Sequence, residues 1–209
     1  MNIKNSKAKS MCQLFESIRI EAGIIHHLEL HQERVNRSLL KLGVSTKVDL
    51  SDFTHLLSLP EKGIFKLRIA YDKNGIIDQQ LIPYIIRSVK SVELVIDNSI
   101  DYSLKFEDRS TLTRLQEGSD ADEIIIVKDN MITDSSISNI LLYDGSFWYT
   151  PSKPLLEGTQ RAHLIKRGII KTAPIKIEAL NNFSHFCFIN ALNPFESVLK
   201  HPIDLVLNN

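Results

Sequence analysis

The spacing of apolar and polar residues changes period along this chain, and each change marks an element. From Cys12 to Arg19 the apolar positions Leu14 and Ile18, continued by Ile20, stand among polar neighbours, which predicts a strand. Glu21-Ala22-Gly23 reads as a turn and Ile24 to Leu30 as a second strand, so the chain is predicted to open with a hairpin. Val35, Leu39 and Leu42 then fall at i, i+4 and i+7, which places them on one helical face, with Gly43 as the stop. A second helix is predicted from Leu50 to Leu57, capped by Ser51 or Asp52. Gly63 to Tyr71 alternates through Phe65, Leu67 and Ile69. Asp72-Lys73-Asn74-Gly75 is a hairpin turn, because Asn-Gly accepts the positive φ of a primed turn. Ile76 to Ile86 is the partner strand, and Val92 to Ile96 adds another.

Asp97 to Ser103 reads as a linker, and Asp108 to Leu115 as a helix. Glu123 to Val127, Ile137 to Tyr143 and Phe147 to Tyr149 read as strands of a second sheet, with Asp144-Gly145 as a tight turn. Ala162, Ile165 and Ile169 mark one face of a further helix, and Phe186 to Ile189 reads as a buried strand. The sum is an α+β fold of two domains. Residues 1–98 form a small N-terminal α+β domain and residues 99–209 a C-terminal one.

Composition narrows the class without choosing a chemistry. The 209 residues are 43% hydrophobic and 24% charged, which is ordinary for a globular protein with a real core. The formal net charge of +0 offers nothing to nucleic acid or to an anionic membrane surface. No apolar run reaches bilayer-spanning length, and the polar, basic stretch from Met1 to Ser10 lacks the apolar core of a secretory signal. Cys12 and Cys187 are far apart and show no metal or redox spacing, so both are expected as buried thiols in a cytoplasmic protein.

Candidate chemistry gathers at a few places. Lys105 lies between Leu104 and Phe106, where a desolvated ammonium becomes a nucleophilic amine; the plain alternative is a surface lysine whose stem lies on apolar surface. Asp134 is expected between two strands, as a carboxylate for a protonated pyridine nitrogen or as a turn aspartate bonded to its own backbone. Asn139 is expected to orient that loop or to bond the carboxylate. Gly158-Thr159-Gln160-Arg161 opens a helix whose first N–H groups can hold a phosphate, or is a simple glycine turn. Arg34 can give a charge-assisted bond to a phosphate, or is a solvated helix arginine. His26, His27 and His31 suggest a metal, but no carboxylate or cysteine completes a site at metal spacing, so no metal is expected. There is no glycine-rich nucleotide loop and no serine nucleophile elbow. An amine, a carboxylate and an anion cradle together are what pyridoxal 5'-phosphate requires of a protein.

Taken in order along the chain, these elements resemble the class IV aminotransferases, the fold type IV pyridoxal-phosphate enzymes. Phe15-Glu16-Ser17-Ile18-Arg19 looks like the family's opening strand, and His31-x-x-Arg34 like the helix whose arginine binds the cofactor phosphate. Lys105 falls where the family has its Schiff-base lysine. Thr133-Asp134 through Asn139 resembles the Thr-Glu…Asn element, although Asp134 is one methylene shorter than the usual glutamate. Thr150-Pro151 and Gly158-Thr159-Gln160-Arg161 resemble the elements before the phosphate-binding helix.

Two places are similar to aminodeoxychorismate lyase in particular. One is Lys105 with Arg109 four residues on; the other is Asn190-Ala191-Leu192-Asn193-Pro194, which implies that Asn190 lies near the cofactor phosphate. The opening Ser10-Met11-Cys12-Gln13 departs from the family's longer N-terminal hairpin. The resemblance implies a small N-terminal α/β sandwich, a larger C-terminal sheet domain, a small-molecule amino substrate and a homodimer. It implies a lyase that releases pyruvate and 4-aminobenzoate. An aminotransferase of branched-chain or D-amino acids and a non-catalytic protein of the same fold remain open.

Overall fold

The computed structural model describes residues 13–54 and 58–207. The readings that fall on Ser10 to Cys12 and on the end of the second helix, 55–57, lie outside the described residues. The chain forms two compact units. The first takes residues up to Ile86 together with Leu104–Asp108, and the second takes Arg87–Ser103 together with residues from Arg109 onward.

The first unit is a four-stranded antiparallel sheet, β1 (Leu14–Glu21), β2 (Ile24–Ile25), β3 (Ile64–Asp72) and β4 (Gly75–Pro83), in the order β2-β1-β3-β4. β1 pairs with β3 along its whole length, from Leu14 opposite Tyr71 to Glu21 opposite Ile64. Leu14, Ile18 and Ile20 alternate onto one face and meet Val35 and Leu39 of helix α1 (Leu28–Lys41) in the buried core. The extended run expected to continue to Leu30 stops at Ile25. The cause is local: His27 adopts φ 54°, which turns the backbone out of the strand and starts the helix at Leu28.

The C-terminus of α1 closes as the glycine predicts. Val44 N–H donates to the Leu39 carbonyl at 2.9 Å and Gly43 N–H to the Leu40 carbonyl at 3.0 Å, with Gly43 at φ 68°. The short helix α2 (Ser51–Thr54) is capped by neither expected residue. Asp49 Oδ1 takes the Ser51 N–H at 3.0 Å and its hydroxyl at 2.6 Å.

The second unit holds an eight-stranded sheet with the path β10-β9-β8-β7-β6-β5. Its strands are β5 (Val92–Ile96), β6 (Glu123–Lys128), β7 (Met131–Ser135), β8 (Asn139–Tyr143), β9 (Trp148–Pro151), β10 (Ile170–Ala173), β11 (His185–Ile189) and β12 (His201–Pro202). β11 pairs with β8 and with β12. Val92–Ile96, grouped with the first domain by the sequence, pairs in parallel with β6 and so belongs to this sheet. β7 has no counterpart in the sequence reading. It returns from β6 through Asp129-Asn130, whose φ values of 51° and 64° make a primed hairpin turn without glycine. Asp134 therefore sits on a strand rather than between two.

Helix α3 (Ser110–Glu117), helix α4 (Thr159–Lys166), a 3-10 helix (Ile177–Asn182) and helix α5 (Asp204–Leu207) complete the unit. Its largest core cluster joins Ile125, Val127, Ile140, Leu142, Phe186 and Phe188. Cys187 is buried beside it as a free thiol, and burial pushes its pKa up to about 12. Among the described residues no helix is long and apolar enough to cross a membrane, and no cluster of His, Cys, Asp and Glu could hold a metal ion.

Candidate active site

In the first unit the alternation of β1 carries Glu16 onto the same inward face as Leu14 and Ile18, where it has no exposure to solvent. His31 and Arg34 stand one helical turn apart on α1 and reach it there. Arg34 Nε donates to Glu16 Oε1 at 2.9 Å, Arg34 Nη2 donates to Oε2, and His31 Nδ1 lies 2.5 Å from the same Oε2. Burial alone would raise the Glu16 pKa, but the Arg34 charge and the bonds from His31 outweigh it and hold the carboxyl at about 2. Burial pushes His31 below its usual value despite the neighbouring carboxylate, with the Arg34 and Lys105 charges acting in the same direction as burial. The carboxylate is thus ionised and can only accept, so His31 donates through Nδ1–H. His27, which the sequence offered beside His31 for a metal, caps the helix in the left-handed conformation instead.

Lys105 lies alongside the start of β1. Its carbonyl accepts the Phe15 N–H at 3.0 Å, and Leu14 bridges Phe106. Its side chain is half-buried, with Nζ 4.6 Å from the centre of the Phe15 ring. The lysine is neither a free surface residue nor sealed in the core, and its ammonium rests on an aromatic face.

In the second unit Asp134 and Asn139 face each other across β7 and β8. Asn139 Nδ2 donates to Asp134 Oδ1 at 2.8 Å and to the Leu156 carbonyl at 2.9 Å, while Leu156 N–H donates to Asp134 Oδ2 at 2.8 Å. Burial pushes Asp134 up to about 6, against the hydrogen bonds from Leu156 and Asn139 and the charge of Arg161. Gly158 is required by close approach rather than by φ. A Cβ at that position would stand 2.1 Å from Asn139 Oδ1.

The turn between β7 and β8 is held from several sides. Ser135 Oγ accepts the Ser138 N–H at 3.0 Å, Glu123 Oε1 accepts the Ser136 N–H at 3.0 Å, and Arg109 Nη2 donates to the Ser136 carbonyl at 2.6 Å. Asn190 belongs to this scaffold as well. Its Nδ2 donates to Ser138 Oγ at 2.9 Å, and its Oδ1 accepts the N–H groups of Leu192 and Asn193 at 2.9 and 3.0 Å.

Thr159 and Gln160 open α4, where the first N–H groups of a helix point out along its axis toward any anion. Gln160 is buried, yet neither its Nε2 nor its Oε1 has a partner, and Thr150 Oγ1 and Arg161 Nε are likewise buried and unsatisfied. Buried polar atoms are rarely left so. The donor set fits a phosphate at the helix start, and the Asp134 carboxylate, bonded by neutral donors, fits the protonated nitrogen of a pyridine ring. Within the second unit the structure thus brings Asp134, Asn139 and Gly158 together, and within the first it draws Arg34 into a buried cluster with Glu16 and His31. The roles of Glu16 and His31, and of Arg109 on the Ser136 carbonyl, escaped sequence reasoning. A charged residue in the apolar phase of a strand was the available signal for Glu16.

Residues 110–200 match the amino-transferase class IV family. An uncharacterized protein of Haemophilus influenzae is 37% identical over 188 residues, which cover 88% of this chain and 99% of that one. A crystal structure from Haemophilus somnus, of a protein proposed to be a 4-amino-4-deoxychorismate lyase, is 36% identical with a TM-score of 0.80, covering 88% of this chain and 97% of that one. A proposed amino-acid aminotransferase from Mesorhizobium loti shares the fold at 21% identity, with a TM-score of 0.74 over 90% of this chain and 97% of its own. The chain belongs to the class IV aminotransferase family.

Proposed function

We propose that this protein is a pyridoxal-phosphate enzyme that converts 4-amino-4-deoxychorismate into pyruvate and 4-aminobenzoate. The observation that carries the lyase reading is its similarity to the Haemophilus somnus protein, which extends over nearly the whole of that chain. Lys105 followed by Arg109 supports it by resemblance, and Arg109 holds the carbonyl of Ser136 in the turn that follows the Asp134 strand. When bound, the cofactor supplies an electron sink for the pair released at the carbon bearing the substrate amine.

The chain's own residues then have distinct tasks. Lys105 would hold the cofactor through Nζ, and its free amine would take the proton from the carbon bearing the substrate amine. The same amine returns a proton to the methylene terminus of the departing enolpyruvyl group as its C–O bond to the ring breaks, so pyruvate leaves and the ring becomes aromatic. Asp134 would accept the pyridine N–H, with Asn139 and Leu156 N–H fixing its two oxygens. Arg34 in the first unit, and in the second the first N–H groups of Thr159 and Gln160 with the Gln160 amide, are the groups that would hold a phosphate; Asn190 would assist by ordering the Ser138 turn. By resemblance the protein acts in the cytoplasm as a homodimer, and sedimentation of the purified chain tests the second point.

Incubation with 4-amino-4-deoxychorismate should release pyruvate and 4-aminobenzoate in equal amounts. Turnover of an amino acid with 2-oxoglutarate, without pyruvate release, would replace the lyase by an aminotransferase of branched-chain or D-amino acids. Cofactor binding with neither turnover would leave a non-catalytic protein of this fold.

A further inference from the structure

We propose that Glu16 is a positioning residue for the cofactor phosphate, acting through Arg34. The inference rests on the cofactor reading above. Its basis is the two-point contact: Arg34 Nε meets Glu16 Oε1 and Nη2 meets Oε2, which fixes the plane of the guanidinium as well as its place. His31 Nδ1 braces the same Oε2 at 2.5 Å. All three side chains are buried, so β1 and α1 hold the arginine before any ligand arrives. Long flexible arginines lose rotamer freedom when they bind, and an arginine ordered during folding has already lost it.

Glu16 also brings a negative charge close to Arg34, and charge alone would weaken anion binding. Orientation decides the balance because a Gln at this position would turn an amide N–H toward a guanidinium N–H and push Arg34 out of place. Glu16 does not touch the cofactor in this account. Its effect is confined to the phosphate and absent from the aldehyde and the ring.

The apoprotein is titrated with pyridoxal phosphate and, separately, with pyridoxal, which lacks the phosphate, while the visible spectrum is followed. In the Glu16→Gln variant the affinity for pyridoxal phosphate should fall about tenfold or more, the size expected for losing a charge-assisted contact. Pyridoxal affinity should hold, so the ratio of the two falls. The double variant Glu16→Gln, Arg34→Met should then be no worse than Arg34→Met alone. A ratio that is unchanged, or that rises because the charge outweighs the geometry, overturns the proposal. Should Glu16→Gln not fold, Glu16→Asp keeps the charge but shortens the reach; its ratio should also fall, and an unchanged ratio overturns the proposal equally. A wild-type protein that binds neither compound would instead bring down the cofactor reading, and this proposal with it.

Discussion

Two buried carboxylates, one in each unit, are driven in opposite directions, and the reason is the company each keeps. Glu16 and Asp134 are both sealed from water, and burial acts on both to favour the neutral acid. Glu16 meets a full positive charge at contact and is held at about 2. Asp134 meets an amide and a backbone N–H, with Arg161 contributing only its field, and rises to about 6. Burial sets the size of the stakes, and a contacting cation sets the sign. Glu16 is therefore complete as the protein stands, whereas Asp134 is a carboxylate whose charge a further cation would stabilise. A pyridinium nitrogen is such a cation.

The largest effect that would break this contrast is to remove the cation from the first unit. Arg34→Met leaves Glu16 buried without its partner and should lower unfolding stability by about 3–5 kcal/mol in chemical denaturation. A loss well under that would mean that Glu16 does not depend on Arg34.

The second effect is read in pH. The folded pKa of Asp134 is raised from 3.8 to about 6, so its contribution to stability is full below the lower value and is lost as pH rises through the upper one. At about 1.4 kcal/mol per unit, the apoprotein should lose about 3 kcal/mol of stability between these values on this account. The Asp134→Asn variant should lack that part of the dependence when denaturation is compared at pH 4 and pH 7. Glu16 runs the other way. Its pKa falls from 4.5 to about 2, so its contribution is present above the higher value and is lost on acidification through the lower one.

The third effect sharpens the Asp134 side. Gly158→Ala places a Cβ against Asn139 Oδ1, and the asparagine must yield. Overpacking of this kind should destabilise by about 1–3 kcal/mol. Loss of the Asn139 bond should also move the Asp134 carboxyl further up, which a carbon-13 titration of that side chain would detect.

How legible these features were follows from their range along the chain. β1, β6 and β11 were readable because their apolar alternation or continuous apolar runs declare them. The end of α1 was readable because Gly43 is the local stop that the Schellman motif needs. β7 was not, since its turn uses Asp129-Asn130 at positive φ where glycine is the usual marker. The over-long second strand failed for the same reason, a non-glycine residue, His27, in the left-handed region. Of the candidate site, the bond from Asn139 to Asp134 was readable because only five positions separate the two residues. The pairing of Glu16 with His31 and Arg34 joins a strand to a helix over 15 and 18 positions, a distance that no local pattern reports. The need for glycine at 158 likewise appears only once Asn139 is seen pressed against it.

The central claim, that this chain binds pyridoxal phosphate through Lys105, is tested most directly by the visible absorbance spectrum of the purified protein incubated with pyridoxal phosphate, beside its Lys105→Ala variant. A band in the parent that distinguishes bound from free cofactor, and that is missing from the variant, is the predicted result. No band in either protein would contradict the account and would leave the family relationship as one of fold alone.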